Sequence, residues 1–152
     1  MASQPWVYSR VTSGDRFFGR LMVLASRLGI SLAGSRLLRV RGRKSGEWRE
    51  APVNPLQLNG HTYLVAPRGH VQWVRNLRVA GDGELQLGRR RRRFTARELP
   101  DADKPELLRA YLRKWAFEVD RFFEGVGADA SEEDLRAILP KHPVFAITLD
   151  PQ

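Results

Sequence analysis

The dipeptide Asn59-Gly60 separates two strand-like runs, WREAPVNPLQL before it and HTYLVA after it. Asn and Gly both tolerate the positive φ that a two-residue hairpin demands, so this is the strongest local instruction in the chain. Two further turns repeat it. Gly42 and Gly46 flank Arg43-Lys44-Ser45 after RLLRVR (36–41), and Gly88 lies between ELQL and RRRFTARELP. Strands joined this tightly must be antiparallel, which favours an α+β barrel over a parallel βαβ sheet.

The remaining elements follow from periodicity. Arg36 to Arg41 reads as a first strand, and Trp48 to Gly60 as a second, irregular one, because Pro52 and Pro55 cannot donate to a ladder. HTYLVA is a third strand, ended at Arg68-Gly69, and HVQWVRNLRVAG is a short helix with Val71, Val74 and Leu77 on one side. Lys104 to Gly125 carries the apolar spacing of a helix or a broken pair, Ser131 opens a capped helix reaching Leu139, and HPVFAITLD is a closing strand. The expected order is helix, three strands, helix, two strands, helices, strand. The first helix is DRFFGRLMVLASRL, Asp15 to Leu28, whose arginines lie beside bulky apolar residues. It either covers one end of the barrel or lies on an anionic membrane surface. Residues 1–35 thus read as a helical part of the domain that residues 36–152 complete.

With 152 residues and 42% hydrophobic content the chain suffices for one domain with a core of its own. No run approaches a membrane span or a secretion signal, so the expected place is the cytoplasm, with peripheral contact to the inner face of the membrane through the first helix. The absence of cysteine excludes disulfides and thiolate ligands, and His61, His70 and His142 lack metal-ligand spacing, so no metal is expected. The formal charge of +9 calls for an acidic partner: nucleic acid, anionic lipid or a polyanionic small molecule. Only four of the 26 cations are lysine, a bias that a GC-rich genome explains as readily as bidentate anion recognition.

Three stretches are candidate sites. GRRRRRF at 88–94 puts Arg89, Arg91 and Arg93 on one face of a strand and Arg90 and Arg92 on the other. That is a charged hairpin rim or a nucleic-acid surface, and the lack of interleaved aromatics argues against the second. Trp73 and Asn76, three apart, could offer an aromatic plane and an amide to a planar ligand, or serve as core and cap. Gly42 to Gly46 combines flexible N–H groups, two cations and a hydroxyl, a chemistry suited to phosphate. It is not a nucleotide P-loop, since Ser45 leads into a strand and not a helix. No nucleophile motif or paired-carboxylate arrangement stands out.

In order, GRKSG (42–46), Arg49, Ala51-Pro52-Val53, Asn59-Gly60, YLVAPRG (63–69), WVRNL (73–77) and LQLGRRRRRFTARE resemble the deazaflavin-dependent nitroreductases, split β-barrel enzymes that use coenzyme F-420. The likeness runs from about Leu37 to Glu98, with LPKHPVFAITLD resembling the family's last strand. It implies that Arg43, Lys44 and Ser45 bind the cofactor phosphate and that Pro52 and Val53 pass beside the deazaflavin ring. By the same resemblance Ala66, Pro67, Arg68 and Gly69 line the ring and the anionic tail, and Trp73, Asn76 and Leu77 complete the pocket. The implied reaction is hydride transfer from reduced F-420 to an apolar, electron-poor small molecule such as a quinone, enone or nitroaromatic. The cofactor carries that chemistry while the protein aligns the reactants. Where some members place acceptor-pocket tyrosines, this chain has Asn54, Pro55 and Gln57. Tyr111, Trp115 and Phe122 are then either acceptor-lining or core. FMN on the same barrel, a basic nucleic-acid or lipid-binding module, and a protein that only sequesters the cofactor are the alternatives. A homodimer is compatible with all of them.

Overall fold

The structure, a computed structural model, describes residues 36–119, 123 and 126–151. The expected helix at Asp15 to Leu28 therefore lies outside the described residues, as do the side chains of Trp115 and Phe122. In chain order the elements are β1 (Arg36–Arg41), β2 (Trp48–Val53), β3 (Leu56–Leu58), β4 (His61–Val65), α1 (Gln72–Ala80), β5 (Asp82–Leu87), β6 (Arg90–Glu98), α2 (Pro105–Val119), α3 (Glu132–Ile138) and β7 (Val144–Leu149). All seven strands form one antiparallel sheet in the order β2-β1-β5-β6-β7-β4-β3.

The three turns behave as their residues require. Asn59 and Gly60 take φ of 53° and 79°, the paired left-handed geometry of a type I′ turn, between the facing residues Leu58 and His61. Gly46 and Gly88 also take positive φ.

One expectation is corrected. Trp48 to Gly60 is two strands and not one: β2 pairs with β1 at one edge of the sheet, and β3 pairs with β4 at the other. Pro52 and Pro55 lack N–H groups, so the chain leaves one ladder and joins another at Asn54-Pro55. Three Cα steps of about 3.8 Å separate Val53 from Leu56, which holds the two sheet edges within about 11 Å of each other. The sheet must curl, and the chain itself bridges the split between its edges.

The inner face of the curled sheet is covered along its length, and the outer face over β3, β4 and β7. Inside, Leu38, Val40, Leu64, Phe94 and Phe145 pack with Val74 and Leu77 of α1. Outside, Leu108, Tyr111 and Leu112 of α2 and Leu135 and Ile138 of α3 pack on Val65 and Val144. Strands β4 and β7 are thus buried on both sides, with Leu64 facing Phe145 inside and Val65 facing Val144 outside. Tyr111 is 1% exposed and its ring lies 6.2 Å from that of Phe123, which makes it a core residue. Helix α3 starts as its sequence specifies, the Ser131 hydroxyl oxygen accepting the Asp134 N–H at 3.2 Å.

A polar cluster ties α1 to β6 and the C-terminal segment. Arg78 donates to both carboxylate oxygens of Glu98, at 2.6 and 2.7 Å. It also donates to His70 Nδ1 at 3.0 Å, while His70 Nε2 lies 2.9 Å from the Pro140 carbonyl oxygen. The hydrogen bond from Arg78 holds the Glu98 carboxyl below its ordinary pKa, against the opposing effect of burial. A carboxyl depressed in the folded state stabilises the fold above its unfolded pKa, and that contribution is lost as pH falls through the folded value. Glu98→Gln is expected to lower stability at pH 7 by up to about 1 kcal/mol, the pair being partly open to water. Urea unfolding at pH 7 and in the acid range should then show a flatter acid-side decline for the variant than for the wild type.

Candidate functional site

At the end of β1 the chain reverses through Gly42 to Glu47, closed by Gly42 N–H to Glu47 O at 2.8 Å and Gly46 N–H to Gly42 O at 2.9 Å. A Cβ at Gly42 would sit 2.9 Å from Ser45 Oγ and 3.4 Å from the Glu47 carbonyl oxygen, so a larger residue would turn the serine hydroxyl out of its place. The Ser45 oxygen accepts the Glu47 N–H at 3.1 Å, which leaves its O–H able to donate. Among the described residues, the N–H groups of Lys44 and Ser45 have no hydrogen-bond partner.

The turn forms one wall of an open cleft of about 830 Å³, whose other walls are the edge strand β2, the turn at Arg68 and the start of α1. Of the residues expected at a cofactor site, Arg43, Lys44, Ser45, Pro52, Arg68, Trp73 and Asn76 line this cleft. The others do not. Val53, Ala66 and Leu77 belong to the interior core, Gly69 is buried in the turn after β4, and Pro67 is half-buried there. Val71, Gln72, Trp48, Glu50 and Ala51 also line the cleft and were absent from the expected set.

The walls differ in chemistry. Arg43, Lys44, Arg49 and Arg68 bring four cations to a cleft with a single lining carboxylate, Glu50. Val71, Trp73, Ala51 and Pro52 supply apolar surface in the same cleft. The Trp73 ring is itself braced by Phe145, 6.0 Å away. Trp48 is flanked by the guanidinium groups of Arg39 and Arg41, at 4.8 and 4.2 Å from its ring centre, and Arg39 is tied in turn to Glu84 at 2.6 Å. Alternation along β1 and β2 could have revealed this cluster, but only with the register that puts Arg41 opposite Trp48.

A phosphate-bearing planar cofactor fits these residues. Two open N–H groups, an ammonium and a hydroxyl form a compact anion-binding set, and the apolar wall beside it suits an aromatic ring system.

The arginine run lies elsewhere. The register pairs Arg39 with Glu84 and Leu37 with Gln86, so β5 begins beside the Gly42 turn and ends at the other end of β1. The hairpin carrying Arg89 and Arg90 is therefore about 17 Å from the Gly42 turn, five residues of strand at about 3.3 Å each. Within it Arg91 donates to Gln86, Arg92 to the Asp150 carbonyl oxygen and Arg93 to Asp82. We expect Arg89→Ala/Arg90→Ala to change the affinity for a phosphate ligand in the cleft less than about twofold, because charges that far apart are largely screened at physiological salt. Titration of the folded variant checks this.

A protein-family model described as F420H(2)-dependent quinone reductase matches residues 18–122, more than half of the 152-residue chain. Among solved structures, an F420-H2 dependent reductase (FDR-A) is similar, with 21% identity, a TM-score of 0.51 and coverage of 76% of this chain and 94% of that one. A protein whose structure is described as a domain-swapped dimer aligns at 20% identity and a TM-score of 0.54, covering 85% of this chain and 92% of that one. A conserved hypothetical protein from Mycobacterium tuberculosis aligns at 15% identity and a TM-score of 0.51, covering 99% and 87% of the two chains. At these identities the structural likeness carries the split-barrel fold alone. No curated protein matches in sequence. Among the described residues no helix is long and apolar enough to cross a membrane. The family match spans the glycine turn, the proline-bearing edge strand and α1 together, and on it the chain belongs to the coenzyme F-420-dependent quinone reductase family, a family of oxidoreductases.

Proposed function

We propose that this chain transfers a hydride from reduced F-420 to an apolar, electron-poor acceptor, such as a quinone, enone or nitroaromatic, in the cleft between β2 and α1. The observation that carries the reading is the pairing, in one cleft, of a cationic glycine turn with open N–H groups and an apolar wall. F-420, when bound, supplies the hydride. The protein's part is to bind, orient and exclude water. Lys44, the Ser45 hydroxyl and the N–H groups of both residues hold the phosphate. Pro52, Trp73 and Arg68 flank the ring and the anionic tail, while Val53, Ala66, Pro67, Gly69 and Leu77 hold the wall in place from behind.

The same wall supports an apolar acceptor. Val71, Trp73, Ala51 and Pro52 give a flat apolar molecule a surface to pack on, with the Trp73 ring braced by Phe145. A homodimer fits this reading, one structural relative being described as a domain-swapped dimer; light scattering of the purified protein tests it.

The test is a fluorescence titration of the purified protein with F-420 beside FMN at the same salt, followed by anaerobic assay of reduced F-420 oxidation with menadione, cyclohexenone and a nitroimidazole. Tight binding of F-420 with turnover of at least one acceptor is the expected result. Binding without turnover of any acceptor would turn the reading into cofactor sequestration. Binding of neither cofactor would overturn it.

A further inference from the structure

Arg43 occupies the place in the glycine turn where a cation would be aimed at an anion, yet its backbone N–H and Nη1 are directed to α1. Its backbone N–H donates to Asn76 Oδ1 at 3.1 Å, and its Nη1 donates to the same oxygen at 2.8 Å and to Gln72 Oε1 at 2.9 Å. Asn76 is 4% exposed, so its two bonds to Arg43 are partly shielded from water, while the bond to Gln72 is exposed. An amide oxygen has two acceptor positions, and Arg43 fills both. The turn is therefore fastened to the helix through one side chain, across 33 residues of sequence.

We propose that Asn76 is a positioning residue that acts through Arg43, and that Arg43 is a strut of the turn while Lys44 is its anion-binding cation. The division follows from what each group has left to offer. The Arg43 N–H and Nη1 are engaged by α1, which leaves only Nε and Nη2 of its donors, whereas Lys44 is exposed, makes no hydrogen bond among the described residues, and keeps its N–H open beside that of Ser45. Fixing the first residue of the turn from behind sets the directions of the next two N–H groups before any ligand arrives. That lowers the ordering cost that a flexible glycine-flanked loop would otherwise meet on binding. The inference rests on the reading that the cleft takes the phosphate of F-420, but the strut itself is a property of the free protein.

The experiment has two arms. Amide hydrogen exchange of the free protein reads the strut: Asn76→Ala should speed exchange across residues 42–46, and Asn76→Asp, which keeps an acceptor oxygen for Arg43, should restore much of the protection. Unchanged exchange in folded Asn76→Ala overturns the strut whether or not F-420 binds. In the second arm F-420 is titrated over a series of salt concentrations. Asn76→Ala should weaken binding roughly tenfold, as loss of a buried hydrogen-bond acceptor does. Its salt dependence should stay that of the wild type, and Arg43→Ala/Asn76→Ala should be no weaker than the worse single variant. Lys44→Ala should instead flatten the salt dependence. Additive losses in the double variant, or a salt dependence flattened by Arg43→Ala as much as by Lys44→Ala, would make Arg43 a direct anion ligand and overturn the division of roles. Failure of the wild type to bind F-420 would count against the proposed function, leaving the exchange result to decide the strut.

Discussion

The Arg43→Ala/Lys44→Ala variant is expected to bind F-420 more than tenfold more weakly than the wild type, with its fold intact. A charge-assisted hydrogen bond is worth about 1.5–3 kcal/mol, and about 1.4 kcal/mol is a factor of ten, so losing the Lys44 contact alone reaches that mark. Removing the Arg43 side chain adds loosening of the turn to loss of charge, since Asn76 Oδ1 then keeps the backbone N–H of residue 43 and loses the Nη1 donor. The fold should survive because both residues lie on the turn, outside the two cores. Fluorescence titration with circular dichroism as the folding control measures both. An unchanged affinity in the folded variant would remove the phosphate from this turn and leave Arg49 and Arg68 as the cations of the cleft able to hold it.

Much of the barrel was legible because its turns are chemically explicit. Asn59-Gly60 and the glycines at 46 and 88 require positive φ, and the structure gives it to them. Ser131 likewise announces α3 through its bond to the Asp134 N–H. What the sequence could not supply was partner choice. Pro52 and Pro55 marked an irregular strand, but only the assembled sheet shows β2 and β3 at opposite edges. The same limit applies to the cleft. Pro52 lines it while its neighbour Val53 is 8% exposed in the core. A motif that names both residues mixes wall with support. Asn76 was legible as an amide near a ligand, whereas its bonds to Arg43 depend on where α1 docks against the sheet. The helix expected over Lys104 to Gly125 raised aromatic candidates for the acceptor, and Tyr111 among them proves to be core because α2 covers the outer face of the sheet.

Phe94→Ala should be the most damaging single substitution to the fold, at about 3–5 kcal/mol, the range for emptying a buried aromatic site. Phe94 is 1% exposed on β6 and stands directly opposite Gly83 on β5. The glycine is there because the ring needs its space: a Cβ on Gly83 would lie 2.9 Å from Phe94 Cζ and 2.8 Å from the Arg39 carbonyl oxygen of β1. Gly83→Ala is accordingly expected to destabilise by about 1–3 kcal/mol through overpacking. The two substitutions should couple. With the ring gone, the added methyl group meets only the β1 backbone, so the double variant should be less unstable than the sum of the singles. Because domains of this size are stable by only about 5–15 kcal/mol, urea unfolding should resolve each value. A Phe94→Ala cost below about 1 kcal/mol would mean that the interior collapses onto the vacancy, contrary to a barrel held open by this ring. Residual F-420 affinity in the still-folded fraction should stay near the wild-type value, since the Gly42 turn takes its fixed points from α1 and its own closing bonds.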